Sequence, residues 1–141
     1  MEITQYPNQE VDVIWHRVKE YFDGAAEYTY GRYTAKDIRN KVKNNPNTQL
    51  WIAHEGAEIF GFVLTEPTEY PQLKALVMHF TGGIELNKWK PDMLKTIQGY
   101  AHSTGCDTIE SLGRSGWGKI FKEDGFKARF TYYELPIEGI V

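Results

Sequence analysis

Between residues 76 and 126 the chain passes from a strand-like stretch through a double glycine, a helix and a second strand into a glycine-bearing segment, and few folds accept that succession. Over residues 73–80, Leu76, Met78 and Phe80 face one way and Ala75, Val77 and His79 the other, the two-residue period of a strand. Thr81-Gly82-Gly83 breaks that strand. The next helix starts between Asn87 and Pro91, because proline is tolerated in a first helical turn; Met93, Leu94, Ile97 and Ala101 form its buried stripe, and Gly105 supplies a left-handed cap. Residues 106–112 read as a strand, 115–124 as a short helix capped by Gly125, and 126–135 as the last strand, with Phe130 and Tyr132 alternating against Thr131 and Tyr133.

The first half reads as a layer that docks on this unit. Residues 3–6 form a short strand ended by Pro7. Val11, Ile14, Val18, Tyr21 and Phe22 recur at helical spacing, which predicts a helix over residues 10–22 closed by Gly24. A tyrosine-dense connection over 25–33 leads to the cap pattern Thr34 and Asp37, and Ile38 and Val42 line a second helix that ends before Pro46. Residues 49–54 and 58–64 are strands joined by Glu55-Gly56-Ala57. In the second of them Phe60, Phe62 and Leu64 alternate with Ile59, Gly61 and Val63, so it is central. A turn around Pro67 and Pro71 precedes the strand at 73–80. The expectation is one α/β domain over residues 1–141, with a mixed sheet of about six strands and about four flanking helices. Residues 136–141 leave a seventh strand open, and a strand from a second subunit is another way to complete the sheet.

A chain of 141 residues buries a core without disulfides or metal. Sixteen Lys and Arg against nineteen Asp and Glu, a net charge of -3, argue against nucleic-acid binding by bulk electrostatics. Cys106 has no second cysteine to pair with, the start Met1-Glu-Ile-Thr-Gln is polar, and no apolar run is long enough to span a bilayer. A cytoplasmic setting is expected. His16, His54 and His102 show no ligand spacing, so no metal site is expected.

The order of elements, with its glycine-bearing turn after the fourth strand, resembles the GNAT superfamily of acyl-CoA-dependent N-acyltransferases over nearly the whole chain. Gln49-Leu50-Trp51, Trp89, Gly105-Cys106, Gly113-Arg114-Ser115-Gly116-Trp117 and Gly125-Phe126 are similar to small GNAT-like proteins of tailed bacteriophages and prophages. The resemblance implies acetyl-CoA as donor, a primary amine as acceptor, and an infected bacterial host or a virion as the setting. It also implies that backbone amides at Thr81, Gly82 and Gly83 meet the pyrophosphate, where helix-start amides favour negative charge. The chain departs from the family pattern there, offering Thr-Gly-Gly and then Glu85. Counting back from Gly125-Phe126, Phe121 stands at the position of the proton-donating tyrosine, Trp117 at that of a small alanine and Arg114 at that of an asparagine. Each departure removes something acyl-CoA chemistry would use. The resemblance therefore implies either a slow enzyme or a silent scaffold that binds a virion or host protein.

His79, at the end of the fourth strand, and Glu110, on the fifth, are the candidate bases; a hydrogen-bonded strand-end histidine and a solvated carboxylate are the plain alternatives. Arg114 offers a fork to a phosphate or to the substrate, and Trp117 is either core or a plug. Cys106 reads as a small buried hydrophobe. Lys119, Lys122, Lys127 and Arg129 read as a solvated basic face. Tyr28, Tyr30, Tyr33 and Trp51 form either a surface patch for a protein partner or packing between helices and sheet.

Overall fold

The strands Glu2–Tyr6 (β1), Gln49–Glu55 (β2), Glu58–Glu69 (β3), Lys74–Gly83 (β4) and Thr108–Ser111 (β5) lie side by side in chain order. The computed structural model describes residues 1–111 and 124–137. Every described neighbour pair is antiparallel except β4 and β5, which run parallel because helix Leu86–Ser103 (α3) carries the chain across between them. Helices Val11–Glu27 (α1) and Ala35–Asn44 (α2) cover one face of the sheet, through Val18, Phe22, Ile38 and Val42 on Ile52, Phe62, Leu64 and Phe80. The opposite face takes α3, whose Trp89, Met93, Leu94 and Ile97 pack on Trp51, Phe60, Val63, Leu76 and Met78. The result is a three-layer α/β domain.

Two bulges decide which residues face which layer. Ala53 pairs with Gly61 and His54 with Ile59, which leaves Phe60 as an extra residue on β3; Leu64 pairs with Phe80 and Thr65 with Met78, which leaves His79 as an extra residue on β4. Each insertion inverts the alternation. Phe60 therefore joins the α3 layer while Phe62 and Leu64 join the α1 layer, and Leu76 and Met78 part from Phe80 in the same way. The alternation read from the sequence, which put each trio on one face, is corrected at these two points.

Other expectations are also revised. Thr81-Gly82-Gly83 does not break β4: the three residues pair with Val63, Phe62 and Gly61. Pro67 lies inside β3, opposite Leu76. Gly24 does not end α1, which runs a further turn and buries Ala25. Trp51 is no surface ring: it is buried, its indole donates to Thr65 Oγ1 (2.9 Å), and that hydroxyl donates to Gln49 Oε1 (2.8 Å). Tyr33 packs on Phe80, while Tyr28 and Tyr30 are exposed.

The start of α2 and the end of α3 follow the sequence closely. Thr34 and Asp37 form a reciprocal capping box on α2. At the end of α3, Cys106 N–H donates to Ala101 O and Gly105 N–H to His102 O, with Gly105 at φ 76°, the expected left-handed cap. The expected strand at 126–135 is not formed: residues 126–137 have no strand pairing, and Phe130, Tyr132, Tyr133, Leu135 and Ile137 are exposed. Asp124 pairs with Lys90 on α3, and Glu134 and Tyr132 are held by Arg32 in the turn after α1, so side-chain contacts tie the segment in place of a ladder. Arg114, Trp117 and Phe121, with most of the expected helix at 115–124, lie outside the described residues.

Candidate functional site

His79 occupies the bulge of β4, one residue beyond Met78, where the described pairing with β5 stops opposite Ser111. Its ring stacks on Phe80 (4.6 Å between centroids, 14° between planes) and meets the edge of Tyr33 at 6.2 Å. Its side chain is 29% exposed, so the ring is partly withdrawn from water without being sealed. Burial pushes its pKa below the ordinary 6.5, the Lys41 ammonium pushes the same way, and Glu66 opposes both. At neutral pH the imidazole is uncharged and able to accept a proton.

Glu66 on β3 and Lys41 on α2 complete this corner. Lys41 Nζ lies 2.9 Å from Glu66 Oε2, and His79 Nδ1 lies 3.8 Å from the same oxygen. Neither residue stood out in the sequence, because each reads as an ordinary surface charge until the bulge turns His79 toward them. Glu110, the other candidate base, sits opposite Val77 and accepts a hydrogen bond from the Tyr70 hydroxyl at 2.6 Å. That bond holds the Tyr70 pKa above its ordinary value. Register sets Glu110 on the neighbouring strand, two residues back from His79, roughly 7 Å along the strand direction.

Thr81, Gly82 and Gly83 line an open depression of about 310 Å³ together with Glu20, Tyr21, Gly24, Glu27 and Tyr28 of α1 and with Ile84. The glycines are required by packing. A Cβ on Gly82 would stand 2.3 Å from Tyr21 O, and one on Gly83, at φ 146°, would stand 2.4 Å from Phe60 O. The depression is edged by two carboxylates and two phenol rings, a lining suited to a cation. Glu20 and Glu27 were not singled out in the sequence; their seven-residue spacing on one helix face, with Gly24 between them, was the available signal.

Comparison with solved structures gives the architecture its relatives. A probable acetyltransferase superposes with a TM-score of 0.73 at 17% identity, over 99% of each chain. The chain has a GNAT-like fold. A ribosomal-protein-alanine N-acetyltransferase from Brucella melitensis biovar Abortus 2308 matches with a TM-score of 0.69 at 12% identity, over 97% of this chain and 100% of that one. An aminoglycoside acetyltransferase from an uncultured soil metagenomic sample, in complex with trehalose, matches with a TM-score of 0.70 at 8% identity, over 97% and 96%. At these identities the likeness is one of fold. No protein-family model matches the sequence, and no curated protein matches it either.

In this GNAT-like fold the turn from β4 to α3 is short, Ile84 and Glu85 alone. Glu85 takes a left-handed φ of 52°, no side chain caps α3, and the Glu85 carboxylate lies 2.8 Å from Lys88 Nζ. Trp89, buried against Gly61, donates its indole N–H to Ile84 O at 2.8 Å. The void left between α3 and the sheet is about 10 Å³, room for no more than a water. An uncapped helix start with Lys88 fits a phosphate approaching from outside, and Glu85 opposes it. Among the described residues, no helix is long and apolar enough to cross a membrane.

Proposed function

We propose that the protein transfers an acetyl group from acetyl-CoA to a primary amine, with His79 as the base. One observation supports this above the rest: the β4 bulge carries an imidazole held uncharged by burial, and Thr81, two residues further along the same strand, lines a depression edged by Glu20 and Glu27. The carboxylates attract an ammonium, and His79 takes one proton from it, leaving an amine whose lone pair can attack. The donor supplies an acyl carbonyl activated by its bond to sulfur. The C–N bond forms as the C–S bond breaks. With Phe121 unable to donate a proton, the thiolate takes one from water or from the substrate. The Arg114 guanidinium is the group assigned to the donor, since the backbone at Thr81, Gly82 and Gly83 is paired with β3 and lines the carboxylate-edged depression, and Glu110, engaged by Tyr70, is the secondary base.

The test is thiol release from acetyl-CoA across a panel of primary amines, beside a titration of thermal stability with CoA. Ligand at about a hundredfold its dissociation constant should add roughly 2.7 kcal/mol. No stabilisation at millimolar CoA and no thiol release would overturn the reading.

The exposed C-terminal segment favours a second reading. Phe130, Tyr133, Leu135 and Ile137 are unusual on a protein without a partner, and a phage-encoded scaffold that binds a virion or host protein through them would need no chemistry at β4. Capture by this segment, lost when residues 126–137 are deleted and independent of CoA, would support that reading.

A further inference from the structure

Lys41, Glu66 and His79 converge from α2, β3 and β4, and two of their polar atoms are left incomplete. His79 Nδ1 and Glu66 Oε2 are both shielded from solvent and neither makes a hydrogen bond of good geometry, although Lys41 gives the oxygen an ion pair. They face each other at 3.8 Å, and a closure of about 0.8 Å would bring them to an ordinary N–H···O length of about 3 Å. We infer that Glu66 is a positioning residue for His79: its carboxylate selects the tautomer with the proton on Nδ1, leaving the Nε2 lone pair to face substrate, while Lys41 holds the carboxylate in place through an ion pair to the same oxygen.

The chemistry admits one arrangement. A carboxylate accepts and cannot donate, so an unprotonated Nδ1 would set two acceptors against each other in a shielded corner. The remaining neighbours do not compete: Phe80 stacks on the ring, Tyr33 meets it edge-on, and Glu110 on β5 is engaged by Tyr70. With Nδ1 shielded, the exposed part of the ring is its other edge. When Nε2 takes a proton, the imidazolium keeps Nδ1–H toward Glu66. Glu66 then raises the basicity of His79 and Lys41 lowers it, so the pair tunes the base from both sides. The catalytic use of this arrangement rests on the acetyl-transfer reading; the tautomer does not.

Long-range ¹H–¹⁵N NMR of the imidazoles decides it, with His79 assigned among the four histidines by the signal lost in His79→Gln. The expected result is a neutral form protonated on Nδ1, with a titration that moves down in Glu66→Gln and up in Lys41→Gln. Lys41→Arg should restore the wild-type titration, and it serves if Lys41→Gln does not fold. A neutral His79 protonated on Nε2, or a titration unmoved in Glu66→Gln, would overturn the inference. In the acetylation assay, Glu66→Gln should lower kcat about 10-fold to 100-fold, by analogy with residues that orient a metal-bound histidine, and should move the acid limb of the pH profile downward. If wild-type protein acetylates no amine, the acetyl-transfer reading falls while the NMR result still stands or fails by itself.

Discussion

His79 was legible in the sequence as a strand-end histidine, but its surroundings were not. Alternation alone puts it on the face opposite Phe80; the bulge sets both rings side by side under α2, and no residue type announces a bulge. The same environment makes a stability prediction. Because the folded pKa lies below the ordinary 6.5, the unfolded chain takes up its proton first as the pH drops, so the fold loses stability as the pH falls through that value toward the lower one. Denaturant titrations at a series of pH values should show this slope in wild type and not in His79→Gln. In the acetylation assay, His79→Gln should lower kcat by about 10² to 10⁴ and remove the acid limb. Gly82 carries a different lesson, since its glycine suggested a ligand cradle and packing supplies a sufficient reason for it. Gly82→Ala places a methyl 2.3 Å from a helix carbonyl, and overpacking of about 1–3 kcal/mol should appear as a lowered denaturation midpoint. A neutral Gly82→Ala would mean that α1 and β4 can move apart.

At the scale of elements, periodicity and capping carried most of the information. The stripe Val11, Ile14, Val18 and Phe22, the capping box at Thr34 and the cap at Gly105 all act through local geometry, so the sequence spells them out. The end of α1 was misread because Gly24 looked like a stop, although Phe22 and Ala25 are buried and packing carries the helix through it. Gly24 is not demanded by packing either: a Cβ there would meet nothing within 4 Å. Gly24→Ala should therefore raise stability by about 0.5–1 kcal/mol in urea denaturation, the ordinary gain for an unstrained helical site. What the glycine does provide is room, since it lies between Glu20 and Glu27 in the lining of the depression. Gly24→Leu should fill that room and raise KM for a cationic amine while leaving the fold intact. An unchanged KM would separate the depression from acceptor binding.

Over the whole molecule the succession of strands and helices led to the right architecture, because a helix between two parallel strands leaves little topological freedom. It failed at the C-terminal segment, where aromatic alternation predicted a sixth strand. A strand pattern states what a segment would do beside an open edge and does not say that the edge is offered, and here side chains hold the segment in another place. Arg32, in the turn after α1, bonds the Tyr132 hydroxyl and the Glu134 carboxylate and lies 5.7 Å over the Tyr132 ring, so it is the clasp at the far end of this stretch. Exposed ion pairs are weak holders, and Arg32→Ala should free the segment without unfolding the core. Limited trypsin digestion should then cut after Lys127 and Arg129 about twofold to fivefold faster than in wild type, because cleavage follows the population of the released form when opening is rapid. The melting temperature should stay nearly constant, since Arg32, Tyr132 and Glu134 belong to neither buried core cluster. Equal cleavage rates in both proteins would show that the segment is held by something other than Arg32, and a large drop in melting temperature would show that the clasp belongs to the fold itself.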